Sequence, residues 1–436
     1  MRILCTGDMH LGRPPVCPAG TKEETLSVAA VWQEMVTYAC TKKVDSVLLT
    51  GDASDWDNRF FEAFAPFEKG LTRLEEAGIE LYPVSGNPDA AILPRFAEAM
   101  PSERFHLLGG DGTWQRRALP TEAAPEVYVD AWSFPLNRHH VQQSPLQDYS
   151  PREDTELPVI GLLHADVDQP GSPYAPVSLQ EMRVLPVDLW LLGHVHRPVM
   201  YTADKAATVL YPGSPQPLDP TETGLHGPWL VEVESKRDIR ITHIPLASLC
   251  YEDIDVDTTN VCSVGDLETA LAARLRERLT ALTERLPALR VLGGKGVLVG
   301  RTPLYGELDR FASAAAGLVV TQDGRKASVL EVLNRARPCF DLQELAKGHD
   351  PAGCLAQVVL DLQSAGGGYT EETETLLNAV TAKMSDVYES NAYLPLHGGQ
   401  ADVSYRPDRE RAKEKIIQQG MLLLDRLLEQ NGREQG

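Results

Sequence analysis

Five times within its first 196 residues the chain repeats one local event: a short apolar run of strand length stops at a turn or strand end that presents an aspartate, an asparagine or a histidine. Arg2 to Cys5 runs into Thr6-Gly7-Asp8-Met9-His10, and Val47 to Leu49 into Thr50-Gly51-Asp52-Ala53-Ser54-Asp55. Glu80 to Val84 leads to Ser85-Gly86-Asn87-Pro88-Asp89, Val159 to Leu163 to His164, and Leu189 to Leu192 to Gly193-His194-Val195-His196. Short β-branched and leucine runs of this kind form buried strands, and Gly51 lets the chain turn sharply as its strand ends. Helix-period segments at Lys22 to Lys42 and Phe60 to Glu76 fill the gaps, so the first strands read as βαβ units. In an open α/β sheet, ligands collect at the carboxyl ends of the strands.

The residue types narrow the chemistry further. Asp8 and His10 are two apart in extended chain and can face the same side, and a carboxylate such as Asp52 has two oxygens with which to bridge two cations. Oxygen and imidazole nitrogen are the only donors offered. A single turn aspartate or strand-end histidine is more often structural than ligating; the ordered set of them is what points to metal. The seven cysteines, from Cys5 to Cys354, show no CxxC spacing, so reduced thiols and a cytoplasmic location are expected, without a disulfide or zinc framework. No signal peptide and no bilayer-spanning run is expected either. Net charge is -21, and Lys and Arg number 17 against 33 Asp and Glu up to Ser235. Such a surface repels phosphates at long range, so nucleic acid could be held only through bound metal, local basic patches or a partner.

The blocks GDMH, GDASD, GNPD, the isolated His164 and GHVH resemble those of the calcineurin-like metallophosphoesterase superfamily. Their spacing, the Trp132-Ser133-Phe134-Pro135 segment and the chain length resemble its DNA-repair branch, the SbcD-type nuclease subunits. The resemblance implies an α/β (α+β) fold in which a β-sandwich is flanked by helices, over about residues 1–235. It implies two divalent metal ions, Mn2+ foremost with Fe or Zn as alternatives. Asp8, His10, Asp52 and His196 would hold one ion, and Asp52, Asn87, His164 and His194 the other. In one respect the chain departs from the pattern. The third block usually reads GNHD, and its histidine serves leaving-group protonation or transition-state stabilisation. Pro88 stands there instead, with no titratable group and no amide donor. His139 and His140, in a Pro-, Gln- and His-rich loop at residues 135–158, are the substitutes within reach of the pattern, against the plainer reading of a solvated pair.

Residues 236–335 match the position of a small capping, DNA-binding-like domain, with a helix at Asp266 to Leu289 carrying Arg274, Arg276, Arg278 and Arg285. Those arginines read equally as a solvated helix face. The Gly293-Gly294-Lys295-Gly296 run lacks phosphate-loop spacing and is expected to be a hairpin turn. Residues 336–436 read as helical, with Thr370 capping a helix whose first turn is acidic and a last helix from near Asp408 bearing a wide apolar stripe. By resemblance that tail binds an SbcC-type coiled-coil ATPase; DNA is the expected substrate partner, and a homodimer is left open. The function this suggests is a DNA exonuclease or endonuclease subunit of an SbcCD-type repair complex. The alternatives are a small-molecule phosphatase or cyclic-nucleotide phosphodiesterase, and a metal-binding structural subunit with little activity.

Overall fold

The protein is described by a computed structural model, which covers residues 1–436 except 22–25, 56–59, 137, 151–154, 203–206, 365–367, 390–407 and 435–436. The chain opens with β1 (Arg2–Thr6), α1 (Val28–Lys42), β2 (Ser46–Leu49), α2 (Phe60–Glu76), β3 (Glu80–Pro83) and α3 (Ile92–Ala99). It continues through β4 (Gln115–Thr121), β5 (Ala124–Trp132), β6 (Val159–His164), β7 (Asp166–Val167), β8 (Pro176–Val177), α4 (Leu179–Val184), β9 (Leu189–Gly193), β10 (Val199–Tyr201), β11 (Thr208–Tyr211), β12 (Trp229–Ser235) and β13 (Asp238–His243). These strands form two main sheets, ordered β13-β12-β1-β2-β3 and β10-β11-β9-β6-β5-β4.

The mixed α/β architecture expected from the sequence is present, and its layers follow from burial. Ile3, Cys5 and Leu48 of the first sheet pack in one apolar core with Val127, Val129, Ile160, Leu162 and Leu191 of the second. Leu4, Val47 and Leu49 face the other way, toward Trp32 and Met35 of α1, Phe67 of α2 and Phe96 of α3. A strand covered on both faces must be apolar throughout, which is why β2 and β6 are buried along their whole length. Beyond the second sheet, Trp132, Leu163, Trp190 and Tyr211 form a further core with Phe134 and Tyr149. The hairpin partner β4 was not foreseen in the sequence; its alternation of exposed and buried residues is weak, and its pairing with β5 decides it.

The rest of the chain supplies β14 (Leu249–Asp257), α5 (Val264–Arg285), β15 (Val291–Val299), β16 (Arg301–Thr302), α6 (Leu308–Ala315), β17 (Val319–Gln322), β18 (Arg325–Asn334) and β19 (Arg337–Pro338), followed by α7 (Leu342–Leu345), α8 (Pro351–Gln363), α9 (Glu371–Tyr388) and α10 (Arg409–Glu434). A third sheet runs β14-β15-β18-β17. The run from Gly293 to Gly296 is not a hairpin turn: it lies inside β15. Glycine is there for close packing, since a Cβ at Gly293 would come within 2.6 Å of Tyr251 Cδ1 and one at Gly294 within 2.8 Å of Ile254 Cδ1.

Boundaries at 235 and 335 do not coincide with the compact units. β12 pairs with β13 across the first boundary. One unit comprises Met1–Ile254, Ala273–Lys295 and Gly317–Leu330, the other Asp255–Ala272, Gly296–Ala316 and Glu331–Gly436. In the second unit Thr370 caps α9 by accepting from the Thr373 amide, as its sequence suggests. The expected loop at residues 391–399 and the break at Gly366-Gly367 lie outside the described residues. The apolar stripe of α10 is used within the chain: Ile416 packs with Leu362 and Leu377, and Leu424 with Ala352 and Ala356. Gly420, costly in a helix by about 1 kcal/mol relative to Ala, sits where a Cβ would be 2.8 Å from Val359 Cγ2. Of the stripe, Leu423 stays 49% exposed.

Candidate metal centre

Strand register brings the sequence-marked side chains to one edge. Thr6 pairs with Leu49 and Leu49 with Pro83 across the parallel β1, β2 and β3, and His164 pairs with Gly193 across β6 and β9. The turns beyond these strands therefore leave the sheets together. They are also tied to one another: the Asp8 amide donates to the Gly51 carbonyl at 3.0 Å, and the His10 amide to the Asp52 carbonyl at 2.9 Å.

Backbone conformation at these turns is unusual for non-glycine residues. Asp8 (φ 47°), His10 (46°), Asp52 (51°) and His194 (105°) all have positive φ. Each such residue costs on the order of 1–3 kcal/mol and persists only where its surroundings over-determine it. Two of the accompanying glycines are required by crowding: a Cβ on Gly86 would overlap Asp52 Oδ1, and one on Gly193 would overlap the Thr50 carbonyl and approach His164 Nδ1 to 2.6 Å. Asp89 holds two of the turns in place, its carboxylate accepting from the amides of Ala53 and Gly86, each at 2.7 Å.

Six of the seven sequence-marked side chains meet there, while the His194 ring lies beside them with its Nε2 3.7 Å from Asp166 Oδ2. Asp52 turns one oxygen toward His10 Nε2 and the other toward His164 Nε2, each at 3.6 Å. His10 Nε2 lies 3.0 Å from His196 Nε2, and His164 Nε2 lies 3.2 Å from Asn87 Oδ1. His194 gives its amide to Asp8 Oδ1 at 2.8 Å, and its ring centroid is 5.4 Å from that of His164. Two sets, Asp8-His10-His196 and Asp8-Asp52-His164, each bring their donor atoms within 4.8 Å of one another.

The hydrogen bonding turns several acceptors toward one another. His164 donates Nδ1–H to the Thr50 carbonyl at 3.1 Å, and His196 donates Nδ1–H to Glu222 Oε1 at 2.8 Å. Each neutral ring therefore presents a lone pair on Nε2, and in His164 that lone pair faces another acceptor, Asn87 Oδ1. Asp8 Oδ2, Asp52 Oδ1 and His10 Nδ1 are buried with no hydrogen-bond partner. His10 Nδ1 lies 3.5 Å from Asp55 Oδ1, which leaves its Nε2 facing the cluster; buried carboxylate oxygens without donors are costly, and a divalent cation would relieve that cost.

Electrostatics agree. Burial raises the pKa of Asp8, and burial together with the Asp89, Asp8 and Asp55 carboxylates holds Asp52 well above the ordinary value. Burial also pushes Asp89 up to about 7, against the pull of its amide donors. Burial keeps the His164 and His194 rings neutral by lowering their pKa values. At His196 burial is outweighed by the Glu222 hydrogen bond and by the charges of Asp8 and Glu222, and the pKa rises. Among the described residues, the ion-pair partners of Asp8 and Asp52 are histidines alone.

Pro88 is buried and contributes no polar group to the centre. His139 is half-buried and donates Nδ1–H to the carbonyl of Asn87, the residue before Pro88, at 2.6 Å. His140 is exposed and lies against Tyr174, whose ring in turn packs on His194 at 4.9 Å. Sequence reading missed Glu222, Asp166 and the Thr50 carbonyl, which touch the ligand histidines from outside any ligand block or through the backbone. No local signal marks Glu222, 26 residues beyond His196.

Residues 1–198 match the model of the calcineurin-like phosphoesterases. The chain is 27% identical over 348 residues to the uncharacterized metallophosphoesterase YhaO of Bacillus subtilis (strain 168), covering 72% of this chain and 77% of that one. Among solved structures it is similar to a dimetal phosphatase from Danio rerio (12% identity, TM-score 0.34, 56% of this chain and 99% of that one). It is likewise similar to TT1561 of Thermus thermophilus (14% identity, TM-score 0.32, 56% and 98%). The coarse assignment, a calcineurin-like metallophosphoesterase, is supported by the family model together with the sheets and the ligand edge described above. Among the described residues no helix is long and apolar enough to cross a membrane.

Proposed function

From the calcineurin-like phosphoesterase match over residues 1–198, we propose that the chain is a two-metal phosphodiesterase acting on DNA, with cleavage attenuated by Pro88. The observation that carries the metal reading is the convergence of Asp8 Oδ2 and Asp52 Oδ1, buried without hydrogen-bond partners, with the facing Nε2 atoms of His10, His164 and His196. Asp8, His10 and His196 with one oxygen of Asp52 would hold one ion; the other oxygen of Asp52 with Asn87, His164 and His194 would hold the second. Mn2+ suits this mixed carboxylate and imidazole set, as do Fe and Zn. Divalent ions held by these residues would supply charge neutralisation at a phosphoryl group and a water-derived nucleophile at neutral pH.

The chain's own groups orient the ligand rings and handle the leaving-group proton. Thr50 and Glu222 fix the ring orientations of His164 and His196. For the leaving-group proton Pro88 offers no donor, and His139, whose Nδ1–H donates to the Asn87 carbonyl at 2.6 Å, is the substitute to be tested. The DNA assignment is supported by the SbcD-like motif spacing and by the large region beyond the metal domain, which a minimal phosphatase does not need. Two of the α5 arginines lend it little: Arg278 is bidentate to Glu252 at 2.9 Å and Arg274 pairs with Glu277 at 2.5 Å. The coiled-coil ATPase is proposed as partner on the same resemblance. Because α10 already buries its stripe on α8 and α9, its contact would use the remaining surface around Leu423.

Metal analysis paired with assays on single- and double-stranded DNA, bis-p-nitrophenyl phosphate and p-nitrophenyl phosphate tests the reading. Two ions per chain and diester cleavage that includes DNA are expected. Hydrolysis confined to monoesters or cyclic nucleotides would favour the small-molecule alternative. Full metal loading without turnover of any ester would favour a structural subunit, the reading that the buried Pro88 recommends.

A further inference from the structure

Behind His196 lies a polar assembly that no ligand block contains. Glu222, with its side chain 9% exposed, accepts from His196 Nδ1 on Oε1 at 2.8 Å. Its other oxygen, Oε2, accepts from the Ser214 hydroxyl at 2.8 Å and from the Leu218 amide at 2.9 Å. The loop that carries these donors is fixed at further points: the Ser214 amide donates to the His196 carbonyl at 2.8 Å, and buried His226 donates Nδ1–H to the Ser214 carbonyl at 2.7 Å. Gln216, fully buried, bonds the Leu26 carbonyl and the Ser248 hydroxyl, both at 2.9 Å.

One face of the Glu222 carboxylate thus meets the Leu218 backbone amide, which can only donate, with the Ser214 hydroxyl donating beside it. The other face meets an imidazole nitrogen whose role is free to follow whatever opposes it. We propose that Glu222 is a positioning residue that sets the tautomer of His196, holding the ring proton on Nδ1 so that Nε2 is an open donor toward the metal centre. The proposal rests on the metal reading above, and it makes an uncommon demand of an isosteric change. In Glu222→Gln the amide oxygen must take the Oε2 place, because Ser214 and Leu218 both donate there. The amide NH2 then faces His196 and donates to Nδ1, which drives the ring proton to Nε2 and blocks the ligand atom. A substitution that keeps shape and hydrogen-bond count should therefore inactivate one ligand.

Two measurements on wild type and E222Q decide it. Histidine-selective ¹⁵N NMR of the metal-free protein at alkaline pH should show His196 as the Nδ1–H tautomer in wild type and as Nε2–H in E222Q. Titration with Mn2+ should show one site weakened about 10–100-fold in E222Q, the scale expected for loss of a ligand's outer hydrogen bond. The metal-free melting temperature should stay close to wild type, since Gln fills the same volume. An unchanged tautomer, or wild-type Mn2+ affinity in E222Q, overturns the proposal. A lowered metal-free melting temperature with wild-type affinity also overturns it, assigning Glu222 a packing role. Should the wild type bind no ion at all, the functional reading fails, while the NMR comparison still decides what Glu222 does.

Discussion

Two buried aspartates, in different regions of the molecule, show how differently the chain treats the same group. Asp425 on α10 is 2% exposed and Asp52 after β2 is 3% exposed. Asp425 has guanidinium donors on both oxygens: Arg301 at 2.6 and 3.1 Å, and Arg337 at 2.8 Å. Asp52 Oδ1 has no hydrogen-bond partner, and Asp52 is held among other carboxylates on a positive-φ backbone. A buried carboxylate saturated by arginines pins a helix in place. One with an orphaned oxygen, on a strained turn among other carboxylates, is arranged as a cation would require. The contrast extends to the helices: the N-cap of α8 is satisfied by Asp350 and that of α9 by Thr370, whereas the strand-tip turns store strain.

The largest effect expected is on catalysis at the unsaturated site. Pro88→His should raise cleavage of DNA, whose alkoxide leaving group needs a proton, by on the order of 10²-fold or more, within the range general acid catalysis supplies. An activated p-nitrophenyl diester should gain little. If His139 already supplies the proton, Pro88→His will do little and His139→Ala will remove DNA cleavage while sparing the activated ester; parallel rate measurements on the two substrates separate the cases.

Asp52→Asn tests the comparison directly. Hydrolysis should drop by on the order of 10²-fold, the scale of losing one electrostatic stabiliser. The metal-free protein, relieved of a buried charge, should melt higher than wild type. Asp425→Asn should do the reverse, leaving the activated-ester rate near wild type and lowering stability by about 1.5–3 kcal/mol, the worth of hydrogen bonds to a charged group. The half-exposed arginines are free to turn to water, which keeps the loss in that range. A denaturant melt in which both variants lose stability equally would erase the distinction.

Metal loading should follow pH with a definite sign. Burial raises the pKa of Asp8, Asp52 and Asp89 in the metal-free fold, so between about 4 and the raised values the folded chain binds more protons than the unfolded one, up to about 7 for Asp89. Their contribution to stability is lost as pH rises through that window. Cations replace those protons and also require neutral His164 and His194, so both effects point the same way. Mn2+ at 100 times its dissociation constant should add about 2.7 kcal/mol. At one fixed Mn2+ concentration the gain should be larger at pH 7.5 than at pH 5.5; calorimetry showing the opposite order would exclude these carboxylates as the metal-linked groups.

The smallest effect should come from the saturated region. Gly420→Ala gains about 1 kcal/mol of helix propensity but drives a Cβ to 2.8 Å of the buried Val359 side chain. The two nearly cancel, and a shift in melting temperature beyond a few degrees would show that one of them is misjudged.

The sequence by itself determined the strands and the edge at which most of the marked side chains gather, because each block is local: apolar run, turn glycine and polar side chain lie within a few residues, and strand propensity and turn chemistry act over that range. It also determined the α9 cap and the extent of α2, which are equally local. It misled where local pattern and packing disagree. Gly293 to Gly296 has the composition of a turn, but it lies within a strand where Tyr251 and Ile254 leave no room for a Cβ at Gly293 or Gly294. The stripe on α10 is apolar in sequence, and only the structure shows that α8 and α9 cover much of it. Only the tertiary structure decided that Glu222 backs His196, that His139 rather than His140 reaches the Asn87 carbonyl, and that Asp425 meets Arg301 from 124 residues away. Those pairings carry no sequence spacing of their own, because a charge or proton donor acts through distance in space, and that distance exists only once the sheets have stacked.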